Sequence, residues 1–157
     1  MNQKIYELAK KLNNTMTSEC SEFIVTGSLA LNLFGLVKDD NVKDLDVILI
    51  HPTISLIKSL RLLEKTSPAI GRSEYHINLQ KDDLIRVSMN GINVDFFIDT
   101  KERECVNHFG ILFSTINEIV KAKKLMGRLK DYIQLMGIAN EIISTPELVE
   151  FLNKKNV

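Results

Sequence analysis

The sequence lacks several features that mark specialised classes of protein. Its 157 residues include no tryptophan, two cysteines, three prolines and seven glycines. So few glycines and prolines exclude a collagen-like chain or one dominated by linkers. Cys20 and Cys105 lie far apart in the sequence, outside any CxxC or Cys/His cluster, so neither a disulfide framework nor a zinc site is indicated. We expect both to be reduced thiols in a cytosolic protein.

The chain also lacks an excess of charge of one sign and any long apolar run. Twenty Lys and Arg balance twenty Asp and Glu, which argues against a protein that coats polyanions without selectivity. The longest apolar runs, such as residues 47–50, are too short to span a bilayer. The charged N-terminal segment has no apolar signal-peptide region. We therefore expect a cytoplasmic protein with no membrane attachment.

The remaining composition, 45% apolar and 25% charged, is that of a globular domain with its own core. Apolar spacing predicts helices over residues 2–13, 29–34, 53–65, 115–126, 129–143 and 145–155. Strands are predicted over residues 23–25 and 45–50, and within a β-type pattern at 72–100 that holds a hairpin, 84–89 and 92–98, around Asn90-Gly91. A loop is predicted to follow through Gly110.

This order of elements predicts an α/β (α+β) domain, a mixed β-sheet flanked by helices with a helical C-terminal tail. Residues 1–110 would form the α/β core. Residues 111–157 would form a helical segment that packs on this core within a single compact unit.

A Gly-Ser pair between the first strand and the second helix is the first candidate functional feature. Gly27 and Ser28 stand where backbone N–H groups and a hydroxyl can bind a phosphate. Ser28 is also a good N-cap residue, and for an isolated Gly-Ser pair that structural interpretation is the commoner one. The pair alone is therefore a weak signal.

Two aspartates open the second strand. The alternation of a strand places Asp44 and Asp46 on one face and Leu45, Val47 and Leu49 on the other. Adjacent carboxylates repel each other, and a bound Mg²⁺ or Mn²⁺ would relieve that repulsion. The alternative is a solvated strand end, because a DxD motif is common by chance.

A third acid, Asp95, lies inside the apolar strand NVDFFI. An acid there is costly unless it is paired or functional. It would join the other two carboxylates if its strand lay beside the DLDVILI strand. The alternative is a buried ion pair with a basic neighbour such as Arg86.

In their order along the chain, these features resemble the nucleotidyltransferase superfamily typified by DNA polymerase beta. Its pattern hG[GS], Dh[DE]h and hDh matches VTGS at residues 25–28, DLDV at 44–47 and VDF at 94–96. The spacer between Ser28 and Asp44, residues 29–43, is somewhat longer than is usual in the family. Its extra residues fall in the predicted loop 37–43, where insertions cost little.

The C-terminal part adds a second resemblance. Residues 121–131, KAKKLMGRLKD, look like the K-x4-R-x-K-D signature of abortive-infection-type bacterial and phage nucleotidyltransferases, in which the GSxALNLxG pattern of residues 27–35 is also typical. The resemblance covers about residues 20–140. At 100° per residue, Lys123 falls in the apolar stripe of its helix, which is costly unless its amine meets anions or reaches water at the edge.

The resemblance implies a metal-dependent nucleotidyltransferase that transfers a nucleoside monophosphate from an NTP, such as ATP, to a hydroxyl acceptor and releases pyrophosphate. The acceptor would be a tRNA or other RNA end, a protein or a small molecule. The residues implied to bind the nucleotide are Gly27, Ser28, Lys123, Arg128 and Lys130. Those implied to bind Mg²⁺ or Mn²⁺ and to act in catalysis are Asp44, Asp46 and Asp95. The resemblance also permits a homo-oligomer, a protein partner, or a non-catalytic, antitoxin-like module of a toxin–antitoxin or other bacterial or phage defence system.

Overall fold

The structure is a computed structural model, and it describes residues 1–64 and 84–144. Within these residues the helices are α1 (Gln3–Met16), α2 (Gly27–Leu33), α3 (Ile54–Leu63), α4 (Ile116–Met126) and α5 (Leu129–Ser144). The strands are β1 (Glu22–Thr26), β2 (Leu45–Ile50), β3 (Leu84–Met89), β4 (Ile92–Asp99), β5 (Cys105–His108) and β6 (Ile111–Ser114).

All six strands join one mixed sheet in the order β3-β4-β2-β1-β6-β5. The pairs β1–β2, β3–β4 and β5–β6 are antiparallel, whereas β2–β4 and β1–β6 are parallel. The predicted fold class, a mixed sheet with flanking helices, is thereby confirmed. The two strands that carry the acids, β2 and β4, are neighbours at its centre.

The two faces of the sheet are covered unequally. On one face, Leu45, Val47 and Leu49 join a large core that also receives the apolar side chains of α1 and α2. On the other face, Ile48 belongs to a small cluster with Ile24 and Ile50. This asymmetry follows from the alternation of the strands, because every second residue of β2 points away from the main core. Asp46, the aspartate of β2, lies on the face of the small cluster.

Most of the predicted elements are present. The hairpin of β3 and β4 is confirmed, and its turn residues Asn90 and Gly91 adopt the positive φ angles of 53° and 77° that a type I′ turn requires. The predicted helix over residues 145–155 and the β-type pattern over residues 72–83 lie outside the described residues.

The predicted loop through Gly110 is wrong. The chain there forms the hairpin of β5 and β6, with a turn at Phe109 and Gly110, whose φ angles are 49° and 86°. Because β6 pairs with β1, residues 111–114 belong to the sheet, and the C-terminal helices begin at Ile116. The strands are four residues long, so their alternation is short, and Phe at the first turn position hides the usual signal.

Among the described residues, no helix combines the length and the apolar character needed to cross a membrane.

Candidate functional site

A row of polar residues crosses four adjacent strands near the middle of the sheet. Thr26 pairs with Asp46, Asp46 with Asp95, and Asp95 with Arg86. We call these four residues the central row. Directly paired residues of adjacent strands point to the same face, with strands about 4.8 Å apart. The register therefore brings Asp46 and Asp95 side by side, because the strand of Asp95 lies directly beside the DLDVILI strand.

Asp44 lies just before the same strand, two residues ahead of Asp46. The register of β2 and β4 places it beside Asn93, whose side chain is hydrogen-bonded to the Asp44 carboxylate. Partial burial and the negative charge of Asp95 nevertheless raise the pKa of Asp44 above its usual value. The two aspartates of the DxD motif thus share one face with Asp95.

Asp46 has the most perturbed carboxylate of the three. Burial raises the pKa of Asp46 to about 7, and the negative charges of Asp95 and Asp44 add to this effect. The positive charges of Lys123 and Arg86 favour the charged form of Asp46 and so lower its pKa. This effect is smaller than the increase that burial and repulsion cause. At neutral pH the position is therefore balanced between a neutral acid and a carboxylate that favours a nearby cation.

Gly27 closes in on this carboxylate from the end of β1. It adopts a φ of +65°, and a Cβ placed on it would stand 2.2 Å from Oδ2 of Asp46. No residue other than glycine fits that position without displacing Asp46. The Gly-Ser turn and the DxD motif, which are separated along the chain by α2 and the loop after it, thus meet in space.

Ser28 is not the cap of the second helix. The N-cap residue of α2 is Thr26, and its side chain makes no cap hydrogen bond. Ser28 lies in the first turn of α2 and is half-buried. The structural interpretation of Ser28 as an N-cap is therefore wrong, while a role in phosphate binding stays a prediction.

Arg86 forms an ion pair with Asp95. Its Nε lies 2.6 Å from Oδ1 and its Nη2 lies 2.9 Å from Oδ2, so the guanidinium donates to both carboxylate oxygens. Such two-pronged pairs are the strongest of the charge-assisted hydrogen bonds. Asp95 is 3% exposed. Asp95 therefore joins the carboxylates of the DxD motif and also forms the buried ion pair with Arg86, so the two alternatives for this residue occur together.

Lys123 approaches the acids from α4. Its side chain is only 12% exposed, and its Nζ lies 3.9 Å from Oδ1 of Asp131 and donates a short hydrogen bond to Gln134. Burial lowers the pKa of Lys123, although attraction to Asp131 and Asp46 opposes this. Of the two alternatives for Lys123, anions or water at the edge of the stripe, the structure has the amine near carboxylates.

Arg128 and Asp131 form a second ion pair between α4 and α5. Gly127 ends α4 in the left-handed conformation, and Arg128 then donates from Nε at 2.7 Å and from Nη2 at 3.0 Å to the two oxygens of Asp131. Although burial opposes the shift, these bonds and the positive charges of Arg128 and Lys123 lower the pKa of Asp131. The guanidinium of Arg128 is thus directed at Asp131.

Lys130 differs from Arg128 in being exposed. Its charge acts on Asp44, whose negative form it favours. Sequence reasoning gave no role to Asn93, Asp131 or Gln134 and treated Arg86 only as a structural partner. The spacing of Arg128 and Asp131, three residues apart at the start of a helix, was the available signal for their pairing.

The fit of a metal ion differs among the three acids. Within residues 1–64 and 84–144, no group of three His, Cys, Asp or Glu side chains is arranged to hold a metal ion. Asp44 and Asp46 fit a hard cation chemically, because two crowded oxygen ligands with raised pKa values gain from one. Asp95 differs from these two because the guanidinium of Arg86 binds both of its oxygens.

Comparison of the chain with protein-family models, with curated proteins and with solved structures finds no match in any of the three. The geometry of the site is therefore the basis of the functional argument.

Proposed function

We propose that the protein is a metal-dependent nucleotidyltransferase. It would transfer a nucleoside monophosphate from an NTP, such as ATP, to a hydroxyl group and release pyrophosphate. The observation that supports this most directly is the close approach of Gly27 to the carboxylate of Asp46, with Asp95 beside Asp46 in the sheet. This approach brings the Gly-Ser turn close to the acids, and the resemblance implies that the two act together.

Each group has a part in this proposal. Asp44 and Asp46 hold Mg²⁺ or Mn²⁺, which when bound supplies positive charge to the phosphate oxygens. Gly27 and Ser28 offer backbone N–H groups and a hydroxyl to the phosphates. Lys123, on α4, adds positive charge that favours the charged form of Asp46.

The remaining assigned residues act from the edge of this group. Lys130 is exposed near Asp44 and can meet a phosphate from solvent. Arg128 acts through Asp131, which it shares with Lys123. Asp95 completes the acidic trio together with its partner Arg86.

The acceptor is proposed as a class, namely a hydroxyl of an RNA end such as a tRNA, of a protein or of a small molecule. Because the reaction consumes NTPs, we propose that it takes place in the cytoplasm. A homo-oligomer or a complex with a protein partner is compatible with the proposal.

Incubation with each α-labelled NTP, Mg²⁺ and a cell extract tests the proposed transfer. Wild-type protein should label one macromolecule or small molecule, and Asp44→Asn and Asp46→Asn should abolish the labelling. Asp40→Asn is the matched control, because Asp40 is an exposed aspartate in the segment that precedes β2. An unchanged rate in both site variants would overturn the proposal.

A non-catalytic, antitoxin-like module with the same fold is the second candidate. The observation that favours it is the ion pair of Arg86 with Asp95, which engages one of the three acids. Calorimetry with each NTP, with and without Mg²⁺, separates the two functions. Absence of nucleotide binding favours the partner role, whereas Mg²⁺-dependent binding favours the enzyme.

A further inference from the structure

We propose that Arg86 is a built-in counter-cation of Asp95, so that the site takes one divalent cation, at Asp44 and Asp46, and no second one at Asp95. This inference rests on the proposed function and specifies the number of metal ions that the site holds. It makes Arg86 a positioning residue, which acts on the metal site through Asp95.

The geometry of the ion pair disfavours a metal ion at Asp95. Nε and Nη2 of Arg86 bind different oxygens of Asp95, at 2.6 and 2.9 Å. A metal ion at Asp95 would have to share those oxygens with a full positive charge, at a distance where like charges repel strongly in a buried site. Asp95 is 3% exposed, so solvent screens that repulsion little.

Arg86 is also fixed in the sheet. It pairs directly with Asp95 across the antiparallel hairpin of β3 and β4. The register of that hairpin is set by six residue pairs and by the turn at Asn90 and Gly91. Withdrawal of Arg86 would leave a buried carboxylate without its partner, which is strongly unfavourable.

The balance of charge also favours one divalent cation. When all three carboxylates are charged, they and the guanidinium of Arg86 sum to two negative charges, which one divalent cation neutralises. A second divalent cation would therefore leave the site with an excess of positive charge before any nucleotide binds.

Titration with Mn²⁺ alone, followed by the electron paramagnetic resonance signal of the free ion, counts the bound ions. Wild-type protein should bind one Mn²⁺ per chain, and Arg86→Gln should bind two. Arg103→Gln is the matched control, because it removes an arginine from a different aspartate of β4, Asp99. It should bind one. Two ions in the wild type or in the control, one ion in Arg86→Gln, or none in the wild type would overturn the inference.

A second variant keeps the inference testable if Arg86→Gln does not fold. The double variant Arg86→Gln/Asp95→Asn, which removes both charges of the pair, should weaken the single Mn²⁺ site less than tenfold, because Asp95 is not its ligand. A loss of tenfold or more would identify Asp95 as a ligand and overturn the inference.

Failure of the inference and failure of the proposed function are distinguishable in these experiments. Two Mn²⁺ ions in a wild-type protein that incorporates nucleotide would overturn the inference alone. One Mn²⁺ ion in a protein that incorporates none of the NTPs would support the inference about the metal count and overturn the proposed transfer.

Discussion

The candidate site contains acids in two environments, on the sheet and between the helices, and their pKa values are shifted in opposite directions. On the sheet, burial and mutual repulsion raise the pKa values of Asp44 and Asp46. Between the helices, Asp131 is fully buried, yet Arg128 and Lys123 lower its pKa. A carboxylate whose neighbours already neutralise it belongs to the scaffold. One that stays destabilised by its surroundings is a candidate for binding a cation.

The largest expected effect on stability comes from the acid between the helices, Asp131. Asp131→Ala leaves the charges of Arg128 and Lys123 without the buried carboxylate that they share, and should lower the free energy of unfolding by about 3–5 kcal/mol. Urea denaturation followed by circular dichroism measures this. Asp40→Ala, at an exposed position, should change stability by less than about 0.5 kcal/mol. Equal effects of the two variants would contradict a structural role for Asp131.

The next effect concerns the contact between Gly27 and Asp46. Gly27→Ala combines a left-handed backbone with a Cβ that meets the carboxylate, and should cost about 2–3 kcal/mol. In an Asp46→Ala background the contacts with the carboxylate are removed and only the 3.2 Å contact with Cβ remains, so the same change should cost less, about 1–2 kcal/mol. Denaturation of the four proteins of this double-mutant cycle measures the coupling. Additive losses would show that the two residues do not touch.

A smaller effect follows from the pKa of Asp46, about 7 in the folded protein against its usual value of 3.8. A carboxyl group with a raised pKa contributes stability that is fully present below its unfolded pKa and is lost as the pH rises through the folded one. Wild-type protein should therefore lose about 1–2 kcal/mol between pH 4 and pH 7, after allowance for partial exposure. Asp46→Asn should lack this loss.

Thermal unfolding of both proteins across that pH range, without divalent ions, measures the difference. Added Mg²⁺ should then restore stability to the wild type at pH 8 and leave Asp46→Asn unchanged. A wild-type stability that rises from pH 4 to pH 7 as much as that of the variant would contradict the raised pKa.

The sequence predicted the sheet side of the site better than the helix side. Alternation along β2 is local, and it was enough to place Asp44 and Asp46 on one face. The adjacency of β2 and β4 depends on the order of strands in the whole sheet, which local patterns do not determine. The sequence therefore predicted that Asp95 joins the other two acids only if these strands are neighbours. The pairing of Arg86 with Asp95 was one of two alternatives, since a strand pattern does not say whether an acid is neutralised.

On the helix side, periodicity placed Lys123 in the apolar stripe of its helix, whereas the resemblance assigned Arg128 to the nucleotide. The direction of that guanidinium depends on the left-handed turn at Gly127, which brings Asp131 within reach. The β5–β6 hairpin was missed because strands of four residues carry too little alternation to stand out. Elements that depend on local repetition or on the Asn90-Gly91 signal were thus predictable, and the contact set by the turn at Gly127 was not.

The smallest effect on stability separates the two basic side chains that the sequence treated alike. Lys130 is exposed and acts on Asp44, whereas Arg128 is held by Asp131. Lys130→Ala should therefore change the free energy of unfolding by less than about 0.5 kcal/mol but weaken Mg²⁺–NTP binding several-fold. Lys124→Ala, an exposed lysine on α4, is the control for loss of charge alone. Calorimetry on both variants separates a specific contribution of Lys130 from a general effect of charge. Equal affinities of the two variants for Mg²⁺–NTP would mean that Lys130 contributes only general charge. The acids and the Gly-Ser turn on the sheet would then bind phosphate without help from α5.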